Sequence, residues 1–239
     1  MTPPNNLPGA HAFIEGVLLW DGKGTLMERR ARHHRSKGGK ARTKPAQGEV
    51  ELGIQVDHAL TCNIRGDATE EHSRLAKEIA FSIQHILEEK HDVLITTSQV
   101  QLRSSVGIVS PVADLLGYRG NRPGRGVLVE VKTGESNWRQ CHASHSIHSD
   151  LPPKHNFFRP PFENIRDTWR NRSFAQLALQ LWTIKNSADP ADFYVSPQDA
   201  LLVVAKTPYA IRVTPLGQEF YDAFEAGMGK YVKNKNAIV

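Results

Sequence analysis

The feature that most constrains the fold of this chain is a short apolar segment that ends in two opposite charges. It reads GVLVEVK, from Gly126 to Lys132. Because side chains alternate along a β-strand, the three valines are predicted to face one way, and Leu128, Glu130 and Lys132 the other. A valine-rich strand is usually buried on both faces. Burying charges is costly unless they are paired or bound to a metal, so this carboxylate and ammonium are predicted to serve a specific purpose.

A second carboxylate lies upstream, at Asp114, in a segment with strand character over 107–116. The Gly- and Arg-rich stretch 117–125 connects it to 126–132, and an antiparallel hairpin between the two segments would bring Asp114 towards Glu130. Two neighbouring carboxylates repel each other unless a cation lies between them. Mg²⁺ takes carboxylate oxygens as ligands and can activate a bound water. The hairpin therefore predicts a divalent metal site.

The order of the predicted elements indicates the fold class. The spacing of apolar residues predicts, in chain order, helices at 50–64 and 69–91, strands at 93–97, 99–103, 107–116 and 126–132, a polar loop at 134–170, a helix at 173–186, strands at 200–206 and 209–214, and a helix at 216–232. This order predicts one α/β domain whose mixed central β-sheet is flanked by helices.

Three pieces of the sequence together resemble the PD-(D/E)XK nuclease superfamily. The motif P-x-x-D, ending at Asp114, is followed after fifteen residues by E-x-K, ending at Lys132. A helix before the strands carries GIQVD, beginning at Gly53, and a helix after them carries QLALQ, beginning at Gln176. These helices look similar to those of the exonuclease-like branch, which includes phage recombination exonucleases. The resemblance covers roughly residues 50–215 and implies a restriction-endonuclease-like core.

The resemblance also implies an activity and a set of site residues. It implies a Mg²⁺- or Mn²⁺-dependent nuclease that hydrolyses phosphodiester bonds of DNA, with end processing by an exonuclease as one form of that activity. Asp114, Glu130 and Asp57 would hold the metal. Lys132 would hold the attacking water or neutralise charge that develops on the phosphate, and Gln176 would take part in catalysis.

Two positions depart from the family pattern. Asp57 stands where those families often have His or Glu, so Glu51 and His58 compete with it for the role of third metal ligand. Gln180 stands where they often have Tyr, and it is expected to contact DNA. Since Gln176 and Gln180 are four residues apart, they share one helix face.

Positive charge is concentrated near the N-terminus. Between Lys23 and Lys44, nine Lys or Arg residues oppose one acid and give +8, whereas the whole chain carries +5 and the remainder therefore −3. Such a block suits a phosphate backbone. Residues 1–48 are predicted to form a basic, largely disordered arm, and 49–239 a single nuclease-like domain. The predicted DNA contacts are Arg29 and Arg30 in the arm, with Arg119, Arg122 and Arg125 at the hairpin connection.

Several alternatives stay open. Cys141, His142, His145 and His148 have a spacing that suits Zn²⁺, although no second cluster of ligands accompanies them. A structure-selective endonuclease of the same fold, or a non-catalytic nucleic-acid-binding protein, would fit the same motifs. With two cysteines and no apolar run of the ~18 residues that a membrane span needs, an intracellular, non-membrane protein is expected, and the basic stretch 29–44 suits the nucleus if the source is eukaryotic or viral. The sequence does not determine the oligomeric state or the choice between DNA and RNA.

Overall fold

The computed structural model describes residues 7–19, 47–68, 71–120, 124–141, 157–187 and 194–236. The helices in these ranges are α1 (Ala10–Phe13), continued by a π-helix (Ile14–Leu19), α2 (Gln47–Arg65), α3 (Arg74–His91), α4 (Glu135–Cys141), α5 (Trp169–Lys185) and α6 (Gln218–Asn236). The strands are β1 (Val93–Gln101), β2 (Val112–Arg119), β3 (Arg125–Thr133), β4 (Tyr194–Thr207) and β5 (Ala210–Pro215). None of the described helices combines the length and apolar character needed to cross a membrane.

The five strands form one sheet in the order β1-β2-β3-β4-β5. β3 and β4 run parallel, and the other neighbouring strands are antiparallel. A parallel pair needs a crossover connection, and α5 lies between β3 and β4 in the chain. The predicted α/β domain with a mixed central sheet is therefore confirmed.

β3 lies at the centre of the sheet and separates two apolar clusters. Its valines pack with residues of α2 and α3 such as Val56, whereas Leu128 packs with residues of α5 and α6 such as Phe224. Every residue from Gly126 to Val131 is buried. The predicted alternation along this strand is confirmed, and helices cover both faces of the sheet.

Two helices begin at positions that differ from the prediction. α3 begins at Arg74 rather than 69, because the Ser73 hydroxyl accepts a hydrogen bond from the Ala76 N–H and caps the helix. α5 begins at Trp169 rather than 173, because Thr168 caps it in the same way. The first turn of α5 is mostly polar, so the apolar spacing that predicted the helix does not reach it.

The predicted pair of strands 93–97 and 99–103 is a single strand, β1. Its register against β2 shifts between Ile95 and Thr97, and Gln99 has a positive φ of 51°. Irregularities of this kind disturb the alternation of side chains without ending the strand. The break in the sequence pattern therefore marked a local distortion and not a turn.

The segment 134–170, predicted as a loop, contains α4 and an isolated bridge between Phe157 and Arg166. The segment that holds His142, His145 and His148 lies outside the described residues, so the zinc alternative stays a prediction. The remaining boundaries shift by a few residues, with β2 beginning at Val112 and β4 at Tyr194.

Part of the predicted N-terminal arm belongs to the folded domain. Phe13, Ile14 and Leu18 are buried in the cluster that contains α5 and α6, and the Phe13 ring lies 6.4 Å from the Phe162 ring, edge to face. The core covers the apolar side chains Phe13, Ile14 and Leu18, so this part of the predicted arm packs on the domain. The basic block, including Arg29 and Arg30, lies outside the described residues, but structured residues flank it on both sides.

Candidate active site

The site begins where β2 and β3 cease to pair. Their antiparallel register runs to Leu115 opposite Val129, so Asp114 and Glu130 are the next residues of the two strands. Asp114 Oδ2 accepts a 2.8 Å hydrogen bond from the backbone N–H of Val131. The predicted hairpin is therefore present, and a side chain of β2 takes the place of a backbone partner at the end of β3.

Glu130 and Lys132 form an ion pair on one face of β3. Lys132 Nζ donates a 2.5 Å hydrogen bond to Glu130 Oε1, and the Glu130 side chain is buried. Burial alone would lower the pKa of Lys132, but the carboxylates of Glu130 and Asp114 outweigh it, and the pKa of Lys132 is raised. Lys132 therefore carries a positive charge at neutral pH.

Three carboxyl groups interact around this lysine. Burial, followed by the charge of Glu130, raises the pKa of Asp114 well above its ordinary value, against the opposing effect of Lys132. Burial also raises the pKa of Asp57 from 3.8 to about 6. The positive charge of Lys132 opposes this shift, and the negative charge of Glu130 adds to it. Carboxyl groups held this close in a buried site are not fully balanced by one ammonium group, so the cluster favours an additional cation.

Asp57 reaches the cluster because α2 approaches the end of β3 closely. A side chain at Gly53 would place its Cβ 3.0 Å from Thr133 Oγ1, so a larger residue would crowd the Thr133 hydroxyl. Asp57 lies one turn further along the same face. The missing side chain of Gly53 thus allows α2 to lie close to the end of β3.

The two competing residues of α2 lie elsewhere. His58 Nδ1 lies 2.7 Å from His72 Nε2, and its other ring nitrogen lies 3.9 Å from Cys62 Sγ. Glu51 is exposed. Of the three candidates for a third metal ligand, the structure places Asp57 beside the carboxylates.

The glutamine in contact with the cluster is Gln180. Its Nε2 donates to Glu130 Oε2 at 2.7 Å and to the Val112 carbonyl at 2.9 Å, and the residue is 1% exposed. Its Oε1 is buried and has no hydrogen-bond partner among the described residues. Both neighbours of Nε2 are acceptors, which sets the orientation of the amide.

The two glutamines of α5 thus differ from their predicted roles. Gln176 is half-buried and makes no hydrogen bond to the cluster within the described structure. Gln180, predicted to contact DNA, instead holds Glu130. One feature of the sequence points to this role of Gln180. Its amide lies within the apolar segment LALQLW, where a side chain is expected to be buried and to need a hydrogen-bond partner.

Arg119 and Arg125, the described arginines of the hairpin connection, are not near the carboxylates. Arg119 and Arg125 form ion pairs of 2.8 and 2.9 Å with the buried Asp199. Arg125 precedes Glu130 by five residues, which corresponds to roughly 16 Å along a strand. The prediction that Arg119 and Arg125 contact DNA beside the site is not supported, because both hold Asp199 at the other end of the sheet. Arg122 lies outside the described residues.

The donor atoms at the site suit a hard divalent cation. Within the described ranges, no group of three or more His, Cys, Asp or Glu side chains is placed to hold a metal ion directly. Mg²⁺, however, is commonly held by one or two carboxylates, with water and substrate phosphates completing its shell. Asp114 and Glu130 can supply those carboxylates, and the unpartnered Gln180 Oε1 is a further polar atom at the site. The residues present therefore fit hydrated Mg²⁺ or Mn²⁺.

Comparisons with known proteins provide no family assignment. No family model matches the sequence, and no curated protein is significantly similar to it. The function must therefore be inferred from the geometry of the site.

Proposed function

We propose that this protein is a Mg²⁺- or Mn²⁺-dependent nuclease that hydrolyses phosphodiester bonds of DNA. The observation that carries the proposal is the meeting of Asp114, Glu130 and Lys132 at one end of the sheet, with Asp57 near enough for its charge to interact with those of Lys132 and Glu130. These residues come from α2, β2 and β3. A stable fold does not require three interacting carboxyl groups at the end of a buried strand, whereas metal-assisted hydrolysis does require carboxylate ligands.

Asp114 and Glu130 are the principal metal ligands in this proposal. Asp114 Oδ2 accepts a hydrogen bond from the Val131 N–H, and the two oxygens of Glu130 accept hydrogen bonds from Lys132 and Gln180. A divalent cation bound there would polarise the phosphodiester and lower the pKa of the attacking water. Asp57, from α2, contributes further negative charge.

Lys132 supplies positive charge at the reacting phosphate. Its raised pKa keeps it protonated, and an ammonium group has three donors, of which one is used on Glu130. The remaining donors can stabilise negative charge that develops on phosphate oxygens or orient the attacking water. Lys132 is therefore assigned to charge stabilisation, and not to proton removal.

Incubating the purified chain with covalently closed circular and linear DNA, with Mg²⁺ or with excess chelator, tests the proposal. We expect cleavage with Mg²⁺ and none with chelator. Loss of linear DNA alone would assign an exonuclease, because a circle offers no ends, and cleavage of both would assign an endonuclease. DNA binding with no cleavage in any metal would contradict the proposal and identify a non-catalytic binding protein.

A further inference from the structure

Two cations share one carboxylate directly after β3. Glu135, the first residue of α4, accepts a 2.6 Å hydrogen bond from Lys206 Nζ at one oxygen and a 2.5 Å bond from Arg139 Nε at the other. The bond from Lys206, followed by that from Arg139, lowers the pKa of Glu135, so the carboxyl group is ionised at neutral pH. Two positive charges and one negative charge leave these three residues, the Glu135 cluster, with an excess of positive charge.

A β-bulge brings Lys206 to this position. Ala205 pairs with Ile211 and Thr207 with Ala210, so Lys206 is an extra residue of β4 that has no partner in β5. Pairing of β4 with β3 also ends at Ala205. Bulges redirect side chains and are common beside active sites. The distortion of β4 thus leaves the Lys206 side chain available to the Glu135 cluster.

The Glu135 cluster is open to solvent and keeps unused donors. The side chains of Lys206, Arg139 and Glu135 are 39%, 73% and 34% exposed. Exposed ion pairs contribute little to the stability of a fold. An ammonium group has three donors and a guanidinium five, and one donor of each is bonded to Glu135. The remaining donors can bind a second anion while Glu135 keeps both cations in place.

The cluster lies close to the candidate active site. Glu135 follows Lys132 by three residues, so their Cα atoms are separated by at most roughly 11 Å. Gly134 turns the chain between them with a positive φ of 95°, and its N–H donates a 2.9 Å hydrogen bond to the Ala205 carbonyl of β4. The cluster is therefore on the β4 side of the site, whereas Asp114 is on the β2 side.

We propose that Lys206 and Arg139, oriented by Glu135, bind a non-scissile phosphate of the DNA strand that is cut. The proposal rests on the proposed nuclease function, because the metal site identifies where the scissile phosphate lies. Successive nucleotides of a stacked strand are separated by about 3.4 Å, so the bound phosphate is within about three nucleotides of the cleaved bond. Phosphate contacts position a strand without reading its bases. The bound strand thus passes from the end of β3 towards β4, and the site accepts any sequence.

Binding of a labelled duplex oligonucleotide tests the phosphate site, with Ca²⁺ in place of Mg²⁺ to separate binding from turnover. The double variant Lys206→Gln/Arg139→Gln should weaken binding by about 10-fold at low salt, the usual loss of a hydrogen bond to a charged group. The slope of log Kd against log salt should flatten by about 0.9, the value for one phosphate. Lys206→Arg keeps the charge and should bind like the wild type.

Each single variant, Lys206→Gln or Arg139→Gln, has Lys90→Gln as its matched control. Lys90 is exposed in the last turn of α3. The next residue, His91, accepts a hydrogen bond from Arg119 through its carbonyl, at the end of the sheet away from the carboxylates. The control therefore removes one surface charge at a distance from the proposed phosphate site, and it should change binding less than either single variant.

The outcomes separate the phosphate site from the nuclease proposal. Wild-type affinity and salt slope in the double variant, or losses in the single variants no larger than that of Lys90→Gln, would overturn the phosphate site even if the protein cleaves DNA. Binding that depends on Lys206 and Arg139 in a protein that never cleaves would support the phosphate site and overturn the nuclease proposal. Because both side chains reach solvent, their replacement by Gln does not endanger the fold.

Discussion

Gln180 donates a 2.7 Å hydrogen bond to Glu130 Oε2, so that α5 fixes the orientation of a carboxylate on β3. The same amide nitrogen binds the Val112 carbonyl of β2. One buried side chain thus joins the three elements that shape the candidate active site. Partners that orient a metal ligand usually affect metal binding almost as strongly as the ligand itself.

Replacing Gln180 by Met, which has a similar volume and no amide, should leave Glu130 Oε2 without its hydrogen-bond donor. We expect the Mg²⁺ concentration needed for half-maximal cleavage to rise by about 10- to 100-fold. Gln176→Met is the matched control, one turn earlier on the same helix, and it should behave like the wild type. Unchanged Mg²⁺ dependence in a folded Gln180→Met protein would show that this hydrogen bond does not serve the site.

Asp57 should make the metal-free protein less stable as the pH rises. Its pKa in the folded state, about 6, lies above the ordinary 3.8, so the folded protein retains a proton that the unfolded chain releases. Stability is therefore lost between about pH 4 and pH 6. Asp57→Asn removes this effect and should be more stable than the wild type at pH 7, by about 1–2 kcal/mol after allowance for partial exposure to solvent.

Urea unfolding in chelator at pH 4 and pH 7 measures the effect of Asp57→Asn. The stability difference should be nearly complete at pH 7 and small near pH 4, where the carboxyl group is neutral in the folded protein and only partly ionised in the unfolded chain. Added Mg²⁺ should stabilise the wild type more than the variant. A variant that is less stable than the wild type at pH 7 in chelator would contradict the assigned burial of this charge.

Lys132→Ala should abolish turnover while leaving DNA binding nearly unchanged. The lysine acts on charge that develops at one phosphate, whereas binding depends on many cations. The exposed Lys230 of α6 offers a control, since Lys230→Ala removes one positive charge far along the chain from the site. Near wild-type cleavage by Lys132→Ala would mean that Lys132 only neutralises Glu130.

The basic block from Lys23 to Lys44 should provide much of the affinity for DNA. Structured residues flank it, so replacement by a Gly/Ser linker of equal length is a safer test than deletion. Binding should weaken, and the slope of log Kd against log salt should flatten by about 0.9 for each phosphate that the block no longer neutralises. Unchanged affinity at every salt concentration would assign the block to targeting or solubility.

The parts of the fold that depend on local periodicity were predictable. The alternation of apolar side chains placed β3, and the spacing of Asp114, Glu130 and Lys132 placed the candidate site on the hairpin. The start of α5 was missed because it depends on the Thr168 cap and not on apolar spacing. The interruption in β1 was misinterpreted as a turn, because a distorted strand and a turn both interrupt the alternation of apolar and polar residues.

The parts of the site that depend on distant partners were not predictable. Gln176 and Gln180 share a helix face, and only the rotation of α5 against the sheet decides which of them reaches Glu130. Arg119 and Arg125 were predicted to contact DNA because no ion-pair partner lies near them in the sequence. Their partner, Asp199, is more than seventy residues away. A buried countercharge at that separation leaves no local signal.

Diffraction from crystals grown with Mn²⁺ tests the central claim most directly, because the anomalous signal of the metal marks its position. The account predicts one strong peak at the end of β3, about 2.0–2.6 Å from carboxylate oxygens of both Asp114 and Glu130. Asp57 and Lys132 should border this peak. Crystals in which Mn²⁺ binds elsewhere on the protein but leaves these two carboxylates without a peak would contradict the account.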